Sequence, residues 1–179
     1  MRILLAILLA ITVPALALAQ AQTTPVTVRA LLSISGPEAA ANTRLTISRD
    51  GETILEGDGP TLAADLPPGT YTAEATSGLV ERRERVRIRP GGRPQEVRVN
   101  LNAGVLAVRS RSAARMVLME PNPDVFGEQA VLAETEGQTW ALTAPQGRYR
   151  LLIEGDGERV ILDQDIEIVP ARREVVTTR

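Results

Sequence analysis

Apolar and polar residues alternate along this chain with a period of two. Leu45 and Ile47 stand among Arg44, Thr46 and Ser48; Val86 and Ile88 stand among Arg85, Arg87 and Arg89; Val97, Val99 and Leu101 are separated by Arg98 and Asn100. That spacing sends one face of an extended strand into a core and the other into water, which is the pattern of a half-buried antiparallel sheet. Ile166 and Ile168 repeat it, set against Asp163, Asp165 and Glu167. Residues that accept positive φ punctuate the runs at Asp50-Gly51, Gly57-Asp58-Gly59, Glu136-Gly137 and Gly155-Asp156-Gly157. No segment holds a helical period between caps, so the chain is expected to be all-β.

The chain also repeats itself. Residues 52–74 and 130–152 align without a gap, matching Glu56 with Glu134, Gly59 with Gly137, Thr61 with Thr139, Pro67 with Pro145, Gly69 with Gly147 and Tyr71 with Tyr149. Further on, Val86-Arg87-Ile88-Arg89-Pro90 corresponds to Ile166-Glu167-Ile168-Val169-Pro170. Turn signals every 8 to 12 residues or so fit about seven short strands per repeat. The expected architecture is two tandem antiparallel β-sandwiches, immunoglobulin-like or transthyretin-like, in residues 22–102 and 103–179. In each, the Pro-x-Gly-x-Tyr run opens a strand, and the tyrosine is placed to bury its ring while its hydroxyl reaches a backbone partner at the corner.

Leu66-Pro67-Pro68-Gly69-Thr70-Tyr71-Thr72-Ala73-Glu74-Ala75 resembles the late-strand signature of carboxypeptidase-regulatory-like and Cna-B-like β-sandwich modules. The two repeats joined through residues 100–106 are similar to those appended to von Willebrand type A domains in some bacterial secreted proteins. The resemblance implies an accessory, structural or adhesive module. Two departures limit it. A lysine-free chain cannot form the Lys–Asn crosslink of many Cna-B-like modules, and nothing here resembles the zinc-dependent part of a carboxypeptidase.

The first 21 residues read as a signal peptide: Arg2 begins a short positive region, Ile3 to Val13 are almost wholly apolar, Pro14 breaks the run, and Ala17-Leu18-Ala19 offers a cleavage site, with Ala19-Gln20-Ala21 as a second. The run falls short of the roughly 20 residues a bilayer span needs. The expected product is periplasmic or secreted, with no membrane insertion after cleavage. It has no cysteine to form disulfides, so aliphatic packing must stabilise it.

Composition narrows the chemistry. With no histidine, cysteine or lysine among 179 residues, the chain has no His-containing triad, thiolate or Schiff base, and none of the usual zinc or iron–sulfur ligand sets. No enzyme activity and no cofactor are expected. The net charge of −2 and an aromatic fraction of 2% argue against nucleic acid, which calls for basic surface and stacking platforms. Glu154, Asp156, Glu158, Asp163, Asp165 and Glu167 offer oxygen ligands for calcium, but an alternating strand splays carboxylates along a face without converging them, so no metal site is assigned.

Function is therefore sought on surfaces. Residues 82–98 hold seven arginines, Arg85, Arg87 and Arg89 among them, whereas the counterpart 154–167 holds six carboxylates, including Asp163, Asp165 and Glu167, and only Arg159. Two independently solvated faces are the plain reading; a sharper one has the faces meet, within a chain or head to tail between chains. The repeats differ most where Asp50-Gly51 is replaced by residues 121–129, a loop carrying Asp124 and Phe126. Phe126 either contacts a partner as an apolar tip or, as is commoner for an aromatic, folds back to plug its own core. Trp140 occupies the place of Leu62 and is expected in the core. The expected function is an exported, non-catalytic structural or protein-interaction module of the bacterial envelope, whose partner is an envelope protein or a second copy engaged through charged sheet faces. The alternative is a carbohydrate- or calcium-binding accessory module.

Overall fold

The computed structural model describes residues 23–31, 42–155 and 159–178. The expected signal peptide, and Asp156 and Glu158, lie outside them. Among the described residues twelve strands account for the regular structure, and no helix is long and apolar enough to cross a membrane.

Seven strands form the first half: β1 (Thr24–Leu31), β2 (Thr43–Arg49), β3 (Glu52–Asp58), β4 (Thr61–Leu66), β5 (Gly69–Ser77), β6 (Val80–Ile88) and β7 (Gln95–Asn100). They make a three-stranded sheet in the order β4-β1-β7 and a four-stranded sheet in the order β3-β2-β5-β6. The two sheets face each other across one core, to which β1 contributes Val26, Val28 and Ala30, β2 contributes Leu45 and Ile47, β5 contributes Tyr71, Ala73 and Ala75, and β7 contributes Val97 and Val99. The period-two pattern therefore does what it predicts: Leu45 and Ile47 are enclosed while Arg44 lies in water. At the β2–β3 turn, Asp50 and Gly51 take φ of 54° and 86°, the paired positive values of a tight two-residue hairpin.

The second half uses five strands: β8 (Ala103–Met119), β9 (Val131–Pro145), β10 (Gly147–Gly155), β11 (Arg159–Ile168) and β12 (Arg173–Thr177). This differs from the expectation of seven short strands. β8 and β9 each run through both layers, and their pairing shifts register between Arg109 and Ala114. Residues 110–113 contain neither glycine nor proline, so nothing ends the first stretch. Glu136-Gly137, expected as a turn, lies inside β9, with Gly137 at φ 147°. The pairings nonetheless match those of the first half. The start of β8 pairs the end of β9 antiparallel and β12 in parallel, as β1 pairs β4 and β7; the end of β8 pairs the start of β9 and β10, as β2 pairs β3 and β5. The folded-over sheet encloses a second core that includes Leu106, Val108, Met116, Leu118, Leu151, Ile153, Ile166 and Ile168. Truncating an enclosed leucine here, such as Leu118 or Leu151, to alanine costs about 2–5 kcal/mol.

Both corner tyrosines fulfil their expected role. The Tyr71 hydroxyl donates to the Pro67 carbonyl at 2.8 Å, and the Tyr149 hydroxyl donates to the Pro145 carbonyl at 2.9 Å. Each ring is buried, and burial pushes the Tyr149 phenol above its ordinary value.

The halves are keyed together by the β5–β6 turn. Leu79 donates its N–H to the Thr143 carbonyl at 2.8 Å, and the buried Ser77 hydroxyl donates to the Thr143 hydroxyl at 3.1 Å. Leu79 itself packs against the second core. Gly78 sits between them at φ 55°, so close to Thr143 that a Cβ would overlap that residue's carbonyl oxygen and lie 2.9 Å from its nitrogen. Only glycine combines this left-handed conformation with so close an approach.

Candidate interaction surfaces

The β8–β9 connection is the largest departure from the repeat. Where β2 and β3 join through two residues, residues 120–130 intervene, closed at the base by a hydrogen bond from the Glu120 N–H to the Ala130 carbonyl at 2.9 Å. Asp124 organises the tip. Its Oδ1 accepts the N–H of Phe126 at 2.8 Å and of Glu128 at 2.9 Å, while Gly127, at φ 84°, donates to the Asp124 carbonyl at 3.1 Å. This is a side chain standing in for backbone turn partners, the habit that makes aspartate common in loops. The Gln129 amide steadies the stem through the Glu120 and Pro121 carbonyls at 3.2 and 3.3 Å.

These bonds hold Val125 and Phe126 out in solvent, 92% and 86% exposed. The expectation that Phe126 plugs its own core is thereby overturned, for two physical reasons. The Asp124 bonds fix the turn so that its apolar residues project away, and Leu79 from the first half already packs at that end of the core. A recess of about 430 Å³, lined by Leu79, Pro121, Leu132, Pro145 and Tyr149, remains at the foot of the loop. Trp140, like Leu62, is half-buried against its core.

The other expected residues fall on two strands at sheet edges. Among the described residues β6 is hydrogen-bonded only to β5, and β11 only to β10. Arg85 and Arg87 lie exposed on the outward face of β6, in line with Arg83; Arg89 lies just past its end, exposed, with its carbonyl accepting the Thr24 hydroxyl at 3.1 Å. Asp163, Asp165 and Glu167 lie in a row on the outward face of β11. The structure thus groups each set but does not bring the two together: among the described residues no ion pair joins β6 to β11. Arg83 pairs with Glu74 at 2.8 Å and Glu81 at 2.7 Å. Asp163 pairs with Arg150, whose Nε and Nη2 each lie 2.7 Å from a carboxylate oxygen, and this hydrogen-bonded guanidinium holds the Asp163 carboxyl below the usual carboxylate range. Arg85, Arg87, Asp165 and Glu167 make no ion pair among the described residues.

Other charges are bound locally. Arg115 bridges Glu134 at 2.7 Å and Glu154 at 3.1 Å, and those hydrogen bonds raise its pKa. Among the described residues no group of three or more potential metal ligands converges, and no buried side-chain nitrogen or oxygen lacks a partner. Nothing in the sequence marks Val125 as an exposed tip, and only the turn-like Ser77-Gly78 hints at the Gly78–Thr143 key.

No family model matches this chain, and no curated protein matches it. Solved structures do. The TIE protein of Bacillus anthracis is similar over 88% of this chain at 16% identity and a TM-score of 0.34, and the chain spans 34% of that protein's length. A DUF3823 family protein from Parabacteroides merdae is similar over 84% of this chain and 98% of its own, at 14% identity and a TM-score of 0.34. The minor pilin GBS52 of Streptococcus agalactiae is similar over 86% of this chain and 94% of its own, at 11% identity and a TM-score of 0.32. Likenesses this distant carry no functional assignment to this chain.

Proposed function

We propose that this chain is an exported, non-catalytic structural and protein-interaction module of the bacterial envelope. It comprises two β-sandwich units, residues 22–102 and 103–179, behind a signal peptide of residues 1–21. The loop of residues 120–130 carries this reading. It replaces a two-residue turn, its hydrogen bonds converge on Asp124, and their result is to hold the chain's one phenylalanine and a neighbouring valine outside any core. A pre-ordered apolar anchor loses little conformational entropy on binding and removes its surface from water when a partner pocket encloses it. The keyed joint at Gly78 supports the same role, because it gives the loop a stiff mount.

The test is capture from envelope extracts with the immobilised mature chain, comparing wild type with Val125→Ser and Phe126→Ser. A defined partner retained by wild type and lost by both variants, at unchanged Tm, is the expected result. Equal retention by Phe126→Ser, or a Tm loss of several degrees, would remove the loop from the binding role.

A further inference from the structure

We propose that copies of this chain associate through their sheet edges, the basic strand β6 of one copy pairing antiparallel with the acidic strand β11 of another. These surfaces are separate from the Phe126 loop.

The two strands are structural equivalents, as the ladders beside them show. Gly69 faces Ile88 and Tyr71 faces Val86, while Gly147 faces Ile168 and Tyr149 faces Ile166. Arg83, Arg85 and Arg87 therefore occupy the same places as Asp163, Asp165 and Glu167. At three successive outward positions the second half replaces a cation with an anion. The strands have matching lengths, nine and ten residues, and among the described residues each has one side without a hydrogen-bonded neighbour strand.

Charge on an edge strand ordinarily prevents pairing, and each edge here repels its own kind. A second β6 laid antiparallel about Arg85 sets Arg83 against Arg87, and a second β11 about Asp165 sets Asp163 against Glu167. Between two β6 strands in this register only Glu81 opposite Arg89 offsets the repulsion, whereas the unlike combination sets opposite charges against each other at all three positions. With Arg85 opposite Asp165, Arg83 meets Glu167 and Arg87 meets Asp163. A slip of two residues, which keeps every side chain on its face, still places Arg85 against Glu167 and Arg87 against Asp165. The backbone ladder supplies attraction, and the sign pattern selects the partner. Such a contact is heterologous, so it yields either a closed ring, a dimer with two such pairings being the smallest, or an open head-to-tail chain.

The experiment is analytical ultracentrifugation of the mature chain over a concentration series at low and high salt. Self-association at low salt, weakened about tenfold or more at high salt, is expected because these charges are exposed and screened. The variants R85E/R87E and D165R/E167R, checked for folding by their melting curves, are each expected to stay monomeric, and mixing them is expected to restore assembly. Phe126→Ser should assemble like wild type. A monomer at every concentration and salt, undiminished association of either charge variant, a mixture that stays monomeric, or loss of assembly in Phe126→Ser would each overturn the proposal.

Discussion

Replacing Gly78 with alanine tests whether the two halves behave as one body. An alanine held in this left-handed backbone costs about 1 kcal/mol. Its Cβ also overlaps the Thr143 backbone, which cannot yield as a side-chain end would. The turn must therefore withdraw. That breaks the Leu79–Thr143 backbone bond and the buried Ser77–Thr143 hydroxyl pair, each worth about 1 kcal/mol. Pulling half-buried Leu79 from the second core adds about 1 kcal/mol more, for a total of about 4 kcal/mol. Gly92 supplies the control: its φ of 66° is similar, and nothing lies within 4 Å of a Cβ there. By scanning calorimetry, Gly92→Ala should lower Tm by about 2–4 °C, as expected for 1 kcal/mol in a chain of this size. Gly78→Ala should lower it at least twice as far and split the endotherm in two. A Gly78→Ala profile that overlays that of Gly92→Ala would refute the keyed joint.

Three other outcomes follow. Tyr149→Phe should cost about 1 kcal/mol near neutral pH by deleting the bond to the Pro145 carbonyl. Because burial raises the folded-state pKa of Tyr149 above 10.0, its contribution is fully present below that pH and is lost as pH rises through the raised value. Urea titrations at neutral and strongly alkaline pH should therefore show the gap between wild type and Tyr149→Phe narrowing on the alkaline side. Asp124→Ala should leave Tm within about 2 °C of wild type, since the loop lies outside both cores, yet speed amide exchange of Phe126 and Glu128 about tenfold, the equivalent of one hydrogen bond. The loop variants Val125→Ser and Phe126→Ser should lower Tm no further than Asp124→Ala in the same melting assay, because solvent already surrounds both side chains.

Features set by neighbouring residues were legible in the sequence. Alternation at Leu45, Ile47, Ile166 and Ile168 assigned their strands and inward faces, Asp50-Gly51 marked a tight hairpin, and Pro-x-Gly-x-Tyr located both corners. What escaped depends on distant contacts or on a missing signal. The continuation of β8 past residue 110 reflects the absence of any breaking residue, which local pattern does not distinguish from a weak turn. The exposure of Phe126 was misjudged because the filling of its core's end comes from Leu79. Within Ser77-Gly78-Leu79 nothing local announces that Thr143 will sit against the glycine. The row of outward arginines and its acidic counterpart could be read early, but their place on sheet edges emerged only from the strand order.

The parallel pairing of first and last strands gives each half a definite mechanical character. Tension along the polypeptide enters β1 at Thr24 and leaves β7 at Asn100, at opposite ends of a ladder of six facing pairs. The load falls on all of those rungs at once, in shear, instead of opening them one by one as in a pulled hairpin. β8 and β12 repeat the arrangement with five pairs, so a chain stretched from its ends meets two clamps in series. Endurance under pull is then governed by the rate at which a whole ladder slides, not by the equilibrium stability of the sandwich.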